Sequence, residues 1–129
     1  MELIPYLVVA AMVFIMAMQL RLYFAAKRPQ GKAAPHFEDL LDESQRALPR
    51  LLFYFHSEYC GPCRRLTPLV QALAHDTAAV IIVDVAQQPE LAQRFGVRVT
   101  PTLMRVNHGT VEKVVVGEIS ETKLKQLLG

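Results

Sequence analysis

Residues 51–63 read LLFYFHSEYCGPC, an apolar run of strand length followed by two closely spaced cysteines. Cys60 and Cys63 are the only cysteines among the 129 residues. Two cysteines cannot build a disulfide framework or complete a four-sulfur zinc site within one chain, but they can open and close one disulfide. An apolar strand before a CxxC pair and a helical pattern after it are typical of a redox-active dithiol.

The segments around this motif alternate between helical and strand patterns. Apolar spacing predicts helices over residues 37–48, 60–75 and 89–95 and a last helix capped by Ser120. Apolar, β-branched runs predict strands over residues 50–56, 79–85, 102–106 and 111–116. The first strand–helix–strand unit requires a parallel pair, and the final hairpin adds an antiparallel pair. We therefore expect an α/β fold, with a central mixed sheet flanked by helices.

The N-terminal segment has a different composition from the rest of the chain. Residues 3–20, LIPYLVVAAMVFIMAMQL, carry no charge, and the apolar pattern continues to Ala26. A helix over residues 3–26 would be about 36 Å long, enough to cross a hydrocarbon core of about 30 Å. The alternatives are a cleaved signal peptide, which usually starts with positive charge, and a buried core helix. We predict a transmembrane anchor at residues 1–26, a linker at 27–36 and a folded domain at 37–129.

Several motifs of this domain resemble the thioredoxin family. The sequence CGPC at 60–63 matches its active site, and Pro68 matches the proline that kinks its second helix. The sequence FGVRVTPT at 95–102 matches the segment that leads into its cis-proline, here Pro101. Asn107-His108-Gly109 matches its hairpin turn, and Gly117 a glycine beside the site. The resemblance covers about residues 37–129 and implies a thioredoxin-like fold with a redox-active disulfide and no organic cofactor or metal.

The chain departs from the family pattern in four places. Tyr59 stands where a Trp usually precedes the first cysteine, and His56 where another Trp is common. Tyr54 replaces a buried Asp. Residues 27–36, KRPQGKAAPH, are too short and too broken to supply the family's first strand, which we expect to be missing. We treat Tyr54 and His56 as residues that tune the site.

The chemistry of a CxxC dithiol depends on which sulfur becomes the thiolate. Cys60 would lie at a helix N-terminus, where the helix dipole and free N–H groups favour negative charge, and Arg64 and Arg65 would add positive potential. We expect Cys60 to attack client disulfides and Cys63 to resolve the mixed disulfide. Tyr54 cannot accept the Cys63 proton near neutral pH because a tyrosine pKa is about 10, so Glu58 or water would replace it. This predicts a less assisted resolving step.

The resemblance also assigns the residues around the dithiol. Tyr59, Gly61 and Pro62 would form the active-site loop. A cis Thr100–Pro101 bond would expose backbone on which an extended client pairs as an added strand. The implied client-binding residues are Val99, Thr100, Pro101 and Gly117.

These expectations combine into a membrane-tethered protein-disulfide reductase. Its partners would be disulfide-bearing clients, an upstream electron donor (a reductase or a membrane thiol carrier) and the bilayer through residues 3–26. With 14 basic and 12 acidic residues, the charge is too balanced for a nucleic-acid surface. The alternatives are a periplasmic oxidoreductase dedicated to one client, as in cytochrome c maturation, and a non-catalytic scaffold subunit. A structural disulfide, or a metal or iron–sulfur centre shared across a dimer with His56 assisting, stays open as well.

The charges beside the apolar segment bear on location. Arg21, Lys27, Arg28 and Lys32 lie at its C-terminal end, whereas Glu2 lies at the other. The positive-inside rule therefore favours a single-pass protein of the bacterial inner membrane with its domain in the cytoplasm. Anchored members of the family often face the periplasm, which is the alternative.

Overall fold

Strand β1 (Arg50–His56) lies inside a four-stranded mixed sheet in the computed structural model, which describes residues 2–128. It pairs in parallel with β2 (Val80–Asp84) and antiparallel with β3 (Thr102–Asn107), which pairs antiparallel with β4 (Thr110–Val116). The strand order is β2-β1-β3-β4. The predicted central mixed sheet is confirmed, with strand bounds within one residue of those expected from the pattern.

The helices are α1 (Leu3–Lys27), a 3-10 turn (Glu38–Leu40), α2 (Glu43–Arg46), α3 (Cys63–Asp76), α4 (Pro89–Phe95) and α5 (Glu121–Leu128). Of these, α4 packs on one face of the sheet, and α3 and α5 pack on the other. Helix α3 begins at Cys63 rather than at Cys60, with Pro62 as its N-cap, and it contains Pro68. Because Cys60 precedes the helix, its sulfur can face the unpaired N–H groups of the first turn.

The side chains of β1 alternate between two hydrophobic cores. Phe53 and Phe55 pack with Phe95 of α4 on one face. Leu52 and Tyr54 point to the other face, where the core is completed from α3 and α5 by Leu66, Val70, Leu124 and Leu127. This two-sided burial explains the uninterrupted apolar run in the sequence and holds the end of β1 rigidly below the cysteine motif.

The predicted helix over residues 37–48 is wrong, because the segment forms a 3-10 turn and a separate short helix. Asp42 has extended backbone and begins α2 as a capping box: its side chain accepts the Gln45 N–H at 2.8 Å, while Gln45 Oε1 accepts the Asp42 N–H at 3.2 Å. An Asp that caps a new helix interrupts the previous one. Leu41 is buried, but Leu40 is 45% exposed.

The two edges of the sheet differ. Within residues 2–128, no strand pairs with the outer edge of β2, which confirms that the family's first strand is missing. At the opposite edge, residues 30–34 run beside β4, although we predicted them to be linker. The Gly31 N–H donates to the Val111 carbonyl at 2.7 Å, and the Val111 N–H donates to the Lys32 carbonyl at 2.8 Å.

Helix α1 has 25 residues, and no residue of its most apolar 18-residue window is buried against the rest of the described chain. The buried-core-helix alternative is therefore wrong, since only Ala26 of this helix is buried. By length and composition the helix qualifies as a membrane span, a test that an N-terminal signal sequence also passes. At about 37 Å it exceeds the thickness of a hydrocarbon core.

Candidate active site

Three segments that the sequence singles out emerge at one end of the sheet. In the strand register Phe55 lies opposite Thr102, and Thr102 lies opposite Val116. The loop after β1, the loop before β3 and the residue after β4 therefore start from neighbouring positions. This register brings together the cysteine motif, the Val99–Pro101 segment and Gly117.

The two cysteines form a disulfide that closes the first turn before α3, with Cα atoms 5.3 Å apart. Cys60 is 8% exposed and Cys63 is 2% exposed. The backbone N–H of Cys63 donates a hydrogen bond to Cys60 Sγ at 3.3 Å. The outer sulfur thus already contacts an N–H of the helix N-terminus, the group that stabilises a thiolate.

The Thr100–Pro101 peptide bond is cis, the conformation that the family resemblance implies. The Pro101 carbonyl accepts the Gly117 N–H at 2.9 Å, and Thr102 Oγ1 donates to the Val99 carbonyl at 2.7 Å. Gly117 has φ +91°, a conformation that favours glycine. Val99 and Thr100 are half-buried and Pro101 is buried. Contacts on both sides therefore fix the shape of this loop.

An ion pair that the sequence analysis did not find joins the start of α3 to the residue after Gly117. Arg65, in the first turn of α3, lies 3.9 Å from Glu118, the residue after Gly117. The neighbouring Arg64 is exposed, and its N–H donates to the Gly61 carbonyl at 3.1 Å. No spacing pattern relates Arg65 to Glu118, because only the folded sheet brings their segments together.

A tyrosine–threonine pair lies between β1 and α3. Tyr54 is fully buried, and its hydroxyl is 2.7 Å from Thr67 Oγ1. Burial raises the pKa of Tyr54 more than the hydrogen bond to Thr67 lowers it. His56 stacks on Tyr54 with ring centroids 5.4 Å apart. The sequence analysis also missed Thr67, although its position one helical turn after Cys63 places both residues on the same face of the helix.

The rim of the site is uneven. Tyr59 is 91% exposed, and Glu58, Gly61 and Pro62 are also exposed. An aromatic ring this exposed beside a disulfide offers a client an apolar contact surface.

Among residues 2–128 there is no group of three or more His, Cys, Asp or Glu side chains arranged to hold a metal ion.

Comparisons with known proteins agree with this geometry. The thioredoxin family model matches residues 31–129. Thioredoxin of Synechocystis sp. is 33% identical over 103 residues, covering 78% of this chain and 92% of that protein. Thioredoxin 1 of Nostoc sp. is 35% identical over 81 residues, covering 60% of this chain and 76% of that protein.

A solved structure of a mutant thioredoxin from Halobacterium salinarum superposes with a TM-score of 0.61 at 34% identity, covering 79% of this chain and 90% of that one. Thioredoxin of Malassezia sympodialis gives a TM-score of 0.52 at 30% identity, covering 60% of this chain and 70% of that one. The predicted thioredoxin-like fold is confirmed. The chain belongs to the thioredoxin family and is a thiol–disulfide oxidoreductase with a Cys60–Cys63 redox disulfide.

Proposed function

We propose that this protein is a membrane-tethered reductase of protein disulfides that works through a mixed-disulfide intermediate. The observation that carries the proposal is the unequal placement of the two sulfurs. Cys60 is the more exposed one and accepts the Cys63 N–H, whereas Cys63 is almost fully buried at the start of α3. The first arrangement suits an attacking thiolate and the second suits a resolving thiol.

In the proposed cycle the Cys60 thiolate attacks one sulfur of a client disulfide. A Cys60–client bond forms, the client S–S bond breaks, and the other client sulfur leaves as a thiolate. Cys63, once deprotonated, attacks Cys60 Sγ, so that the Cys60–Cys63 bond forms and the second client thiolate leaves. The client gains two electrons and the enzyme loses two. A dithiol donor, either a reductase or a membrane thiol carrier, must then return them.

The client would bind across Tyr59 and the Val99–Pro101 segment. Tyr59 supplies exposed ring surface, and the half-buried Val99 and Thr100 supply backbone in the segment just before β3. Gly117 borders this backbone through its bond to the Pro101 carbonyl. Such contacts are sequence-tolerant, which suits a reductase with several clients.

Helix α1 would be an uncleaved anchor. Its apolar window has a mean hydropathy of 2.2, and no other part of the described chain covers it. The basic residues Arg21, Lys27, Arg28 and Lys32 favour a cytoplasmic domain of a bacterial inner-membrane protein. Tethering confines the dithiol to clients at the membrane surface and raises its effective concentration there.

Trapping variants test the mechanism. Cys63→Ser in the full-length protein removes the resolving thiol, so it should accumulate disulfide-linked clients that reducing gels release. The matched Cys60→Ser variant should trap none. Equal trapping by both variants would contradict the assigned roles. A single trapped client would favour the dedicated-client alternative, and retained cellular function in the double variant would favour a scaffold.

Alkylation in intact cells tests the location. A bulky membrane-impermeant thiol reagent is compared with a permeant one, and modification of Cys60 and Cys63 is read as a gel shift. Labelling by the permeant reagent alone, without prior reduction, is the expected result. Labelling by the impermeant reagent would place the domain outside the cytoplasm.

A further inference from the structure

A basic groove lies where the apolar helix meets the folded domain. The groove has a volume of about 210 Å³ and includes Ala25 of α1 and Phe95 of α4 in its lining. Four basic side chains also line it: Arg28, Lys32, Arg94 and Arg98. None of the described residues that line it is acidic, and none of the four makes an ion pair within residues 2–128.

One close contact explains why these charges converge. Pro29 packs over Gly96 so closely that a Cβ on Gly96 would lie 3.1 Å from Pro29 Cγ. Gly96 is in the left-handed region at φ +73° and ends α4. Arg28 and Lys32 flank the proline, while Arg94 and Arg98 flank the glycine. The contact between Pro29 and Gly96 therefore places all four basic side chains around one groove.

No acidic side chain of the described residues lines the groove, although Arg94 also borders a neighbouring pocket lined by Asp39 and Glu90. Helices α1 and α4 end at Lys27 and Phe95, so their C-terminal carbonyls face this region. Each helix end is equivalent to roughly half a negative charge, so the two ends together offset about one of the four positive charges. Like charges held around one concave surface repel one another and attract an anion.

We propose that this groove binds the phosphate headgroup of an anionic phospholipid. The choice of a lipid follows from place: Ala25 and Arg28 belong to the end of a helix long and apolar enough to span a bilayer. If α1 is the anchor argued above, on which this inference rests, the groove lies at headgroup depth. Arginine and lysine beside a membrane span are the side chains that attract anionic lipid headgroups.

The site has a consequence for catalysis. Arg98 precedes Pro101 by three residues, a chain length of at most about 11 Å. Headgroup binding at Arg94 and Arg98 would hold the cis-proline loop close to the membrane surface. The protein would then prefer client disulfides in juxtamembrane segments over those far from the bilayer.

Lipid titration of the full-length protein tests the groove. The delipidated chain in detergent is titrated by native mass spectrometry with phosphatidylglycerol, phosphatidylcholine and soluble glycerol 3-phosphate. The test variant is Arg94→Gln/Arg98→Gln, which leaves α1 and its flanking charges intact. The control is Lys123→Gln/Lys125→Gln on α5, which makes the same charge change on a helix that does not line the groove. Extraction with alkaline carbonate checks separately that each variant stays in the membrane.

We expect phosphatidylglycerol to bind at least about tenfold more tightly than phosphatidylcholine, and the arginine variant to weaken that binding by about tenfold. The lysine control should change it less than about twofold. Equal losses in both variants, or no preference for the anionic lipid, would overturn the proposal. Competition by glycerol 3-phosphate at equal concentration would instead assign a soluble phosphate ligand and overturn the lipid claim. Release by carbonate would contradict the tether, whereas the detergent titration would still report on the groove.

Hydrogen exchange gives an independent readout. Full-length protein is placed in nanodiscs of phosphatidylcholine alone or with added phosphatidylglycerol. Backbone amides of residues 28–32 and 94–98 should exchange more slowly in the anionic discs, while those of α5 should not change. Uniform slowing across the domain, or none at all, would contradict binding at the groove.

Discussion

Cys60 and Cys63 are bonded to each other and both are buried, yet their surroundings differ. Cys60 lies outside the helix, accepts an N–H from its first turn, and has the 91% exposed Tyr59 beside it. Cys63 is the first residue of α3 and is 2% exposed. Thr67, one turn further along α3, shares a hydrogen bond with Tyr54 of β1.

The difference shows that two cysteines only three residues apart can have different surroundings, each formed by different parts of the fold. On the Cys60 side, exposed loop residues and a helix N-terminus favour the thiolate and give access to a client. Cys63 is buried away from clients, and the hydroxyls that Tyr54 and Thr67 place between β1 and α3 are poor bases. Burial raises the pKa of Tyr54, so it is even less able to accept a proton at neutral pH than an ordinary tyrosine.

The largest effect should come from putting a carboxylate on the Cys63 side. In Tyr54→Asp, a buried aspartate near Thr67 has its pKa raised toward neutrality and can accept the Cys63 proton. We expect resolution of the mixed disulfide to accelerate by on the order of a hundredfold. The free energy of unfolding should fall by about 3 kcal/mol, because a large buried side chain is lost and a carboxyl group is buried. Stopped-flow release of a fluorogenic disulfide peptide measures the rate, and urea unfolding measures the stability.

Tyr54→Phe is the matched control for that variant. It keeps the ring and removes only the hydroxyl, so it should cost about 1 kcal/mol and leave the resolving rate unchanged. Equal rates in the wild type and a folded Tyr54→Asp protein would show that Cys63 deprotonation is not limited by a missing base. Glu58 or water would then suffice.

A smaller effect is expected in the reactivity of the reduced dithiol. At neutral pH, iodoacetamide should modify Cys60 at least about tenfold faster than Cys63, because Cys60 is more accessible and accepts the helix N–H. Peptide mass spectrometry after a short pulse measures both rates. The same pulse on urea-unfolded protein is the control, in which the preference should vanish. Similar rates in the folded protein would remove the physical basis for assigning Cys60 as nucleophile.

The asymmetry could be predicted only in part from the sequence. The CxxC pair, the strand before it and the helix after it follow from local patterns, whereas the cis bond at Thr100–Pro101 was implied by the family resemblance of the Thr-Pro-Thr segment. These features depend on residues that are close together in the chain. The Arg65–Glu118 ion pair and the contact of Tyr54 with Thr67 depend on which elements become neighbours in the sheet. Single-sequence patterns do not carry that information.

The N-terminal half shows where local reasoning failed. The apolar spacing of residues 37–48 predicted one helix, but Asp42 can hydrogen-bond the backbone of Gln45 and so starts a new one. The breakers in residues 27–36 predict a linker, and the structure adds that part of this segment contacts the domain through Gly31 and Pro29. In both places a residue that disrupts regular structure forms a specific contact instead of a flexible joint.

The ionisation of Tyr54 tests whether its hydroxyl, between β1 and α3, is in a buried environment. Because burial raises its pKa above 10, the folded state holds the phenol proton more tightly than the unfolded state. The resulting stability is fully present below about pH 10 and is lost as the pH rises through the folded-state pKa. Titration at 295 nm of the oxidised protein should show a late phase that Tyr54→Phe removes. A late phase that persists in that variant would mean that Tyr54 is not the group with the raised pKa.

The smallest effect concerns the ion pair between the two loops. Arg65 and Glu118 are 3.9 Å apart, and their side chains are 83% and 44% exposed. Exposed pairs contribute about 0 to 1 kcal/mol, so Glu118→Gln should lower the free energy of unfolding by less than about 1 kcal/mol. Its alkylation preference for Cys60 should match that of the wild type, since neither sulfur depends on this pair for its burial or its N–H contact. If Glu118→Gln instead changed the Cys60 rate several-fold, the Gly117 loop would have to be counted among the groups that set the reactivity of the dithiol. Lys125→Gln, which breaks the exposed pair with Glu121 on α5, is the matched control.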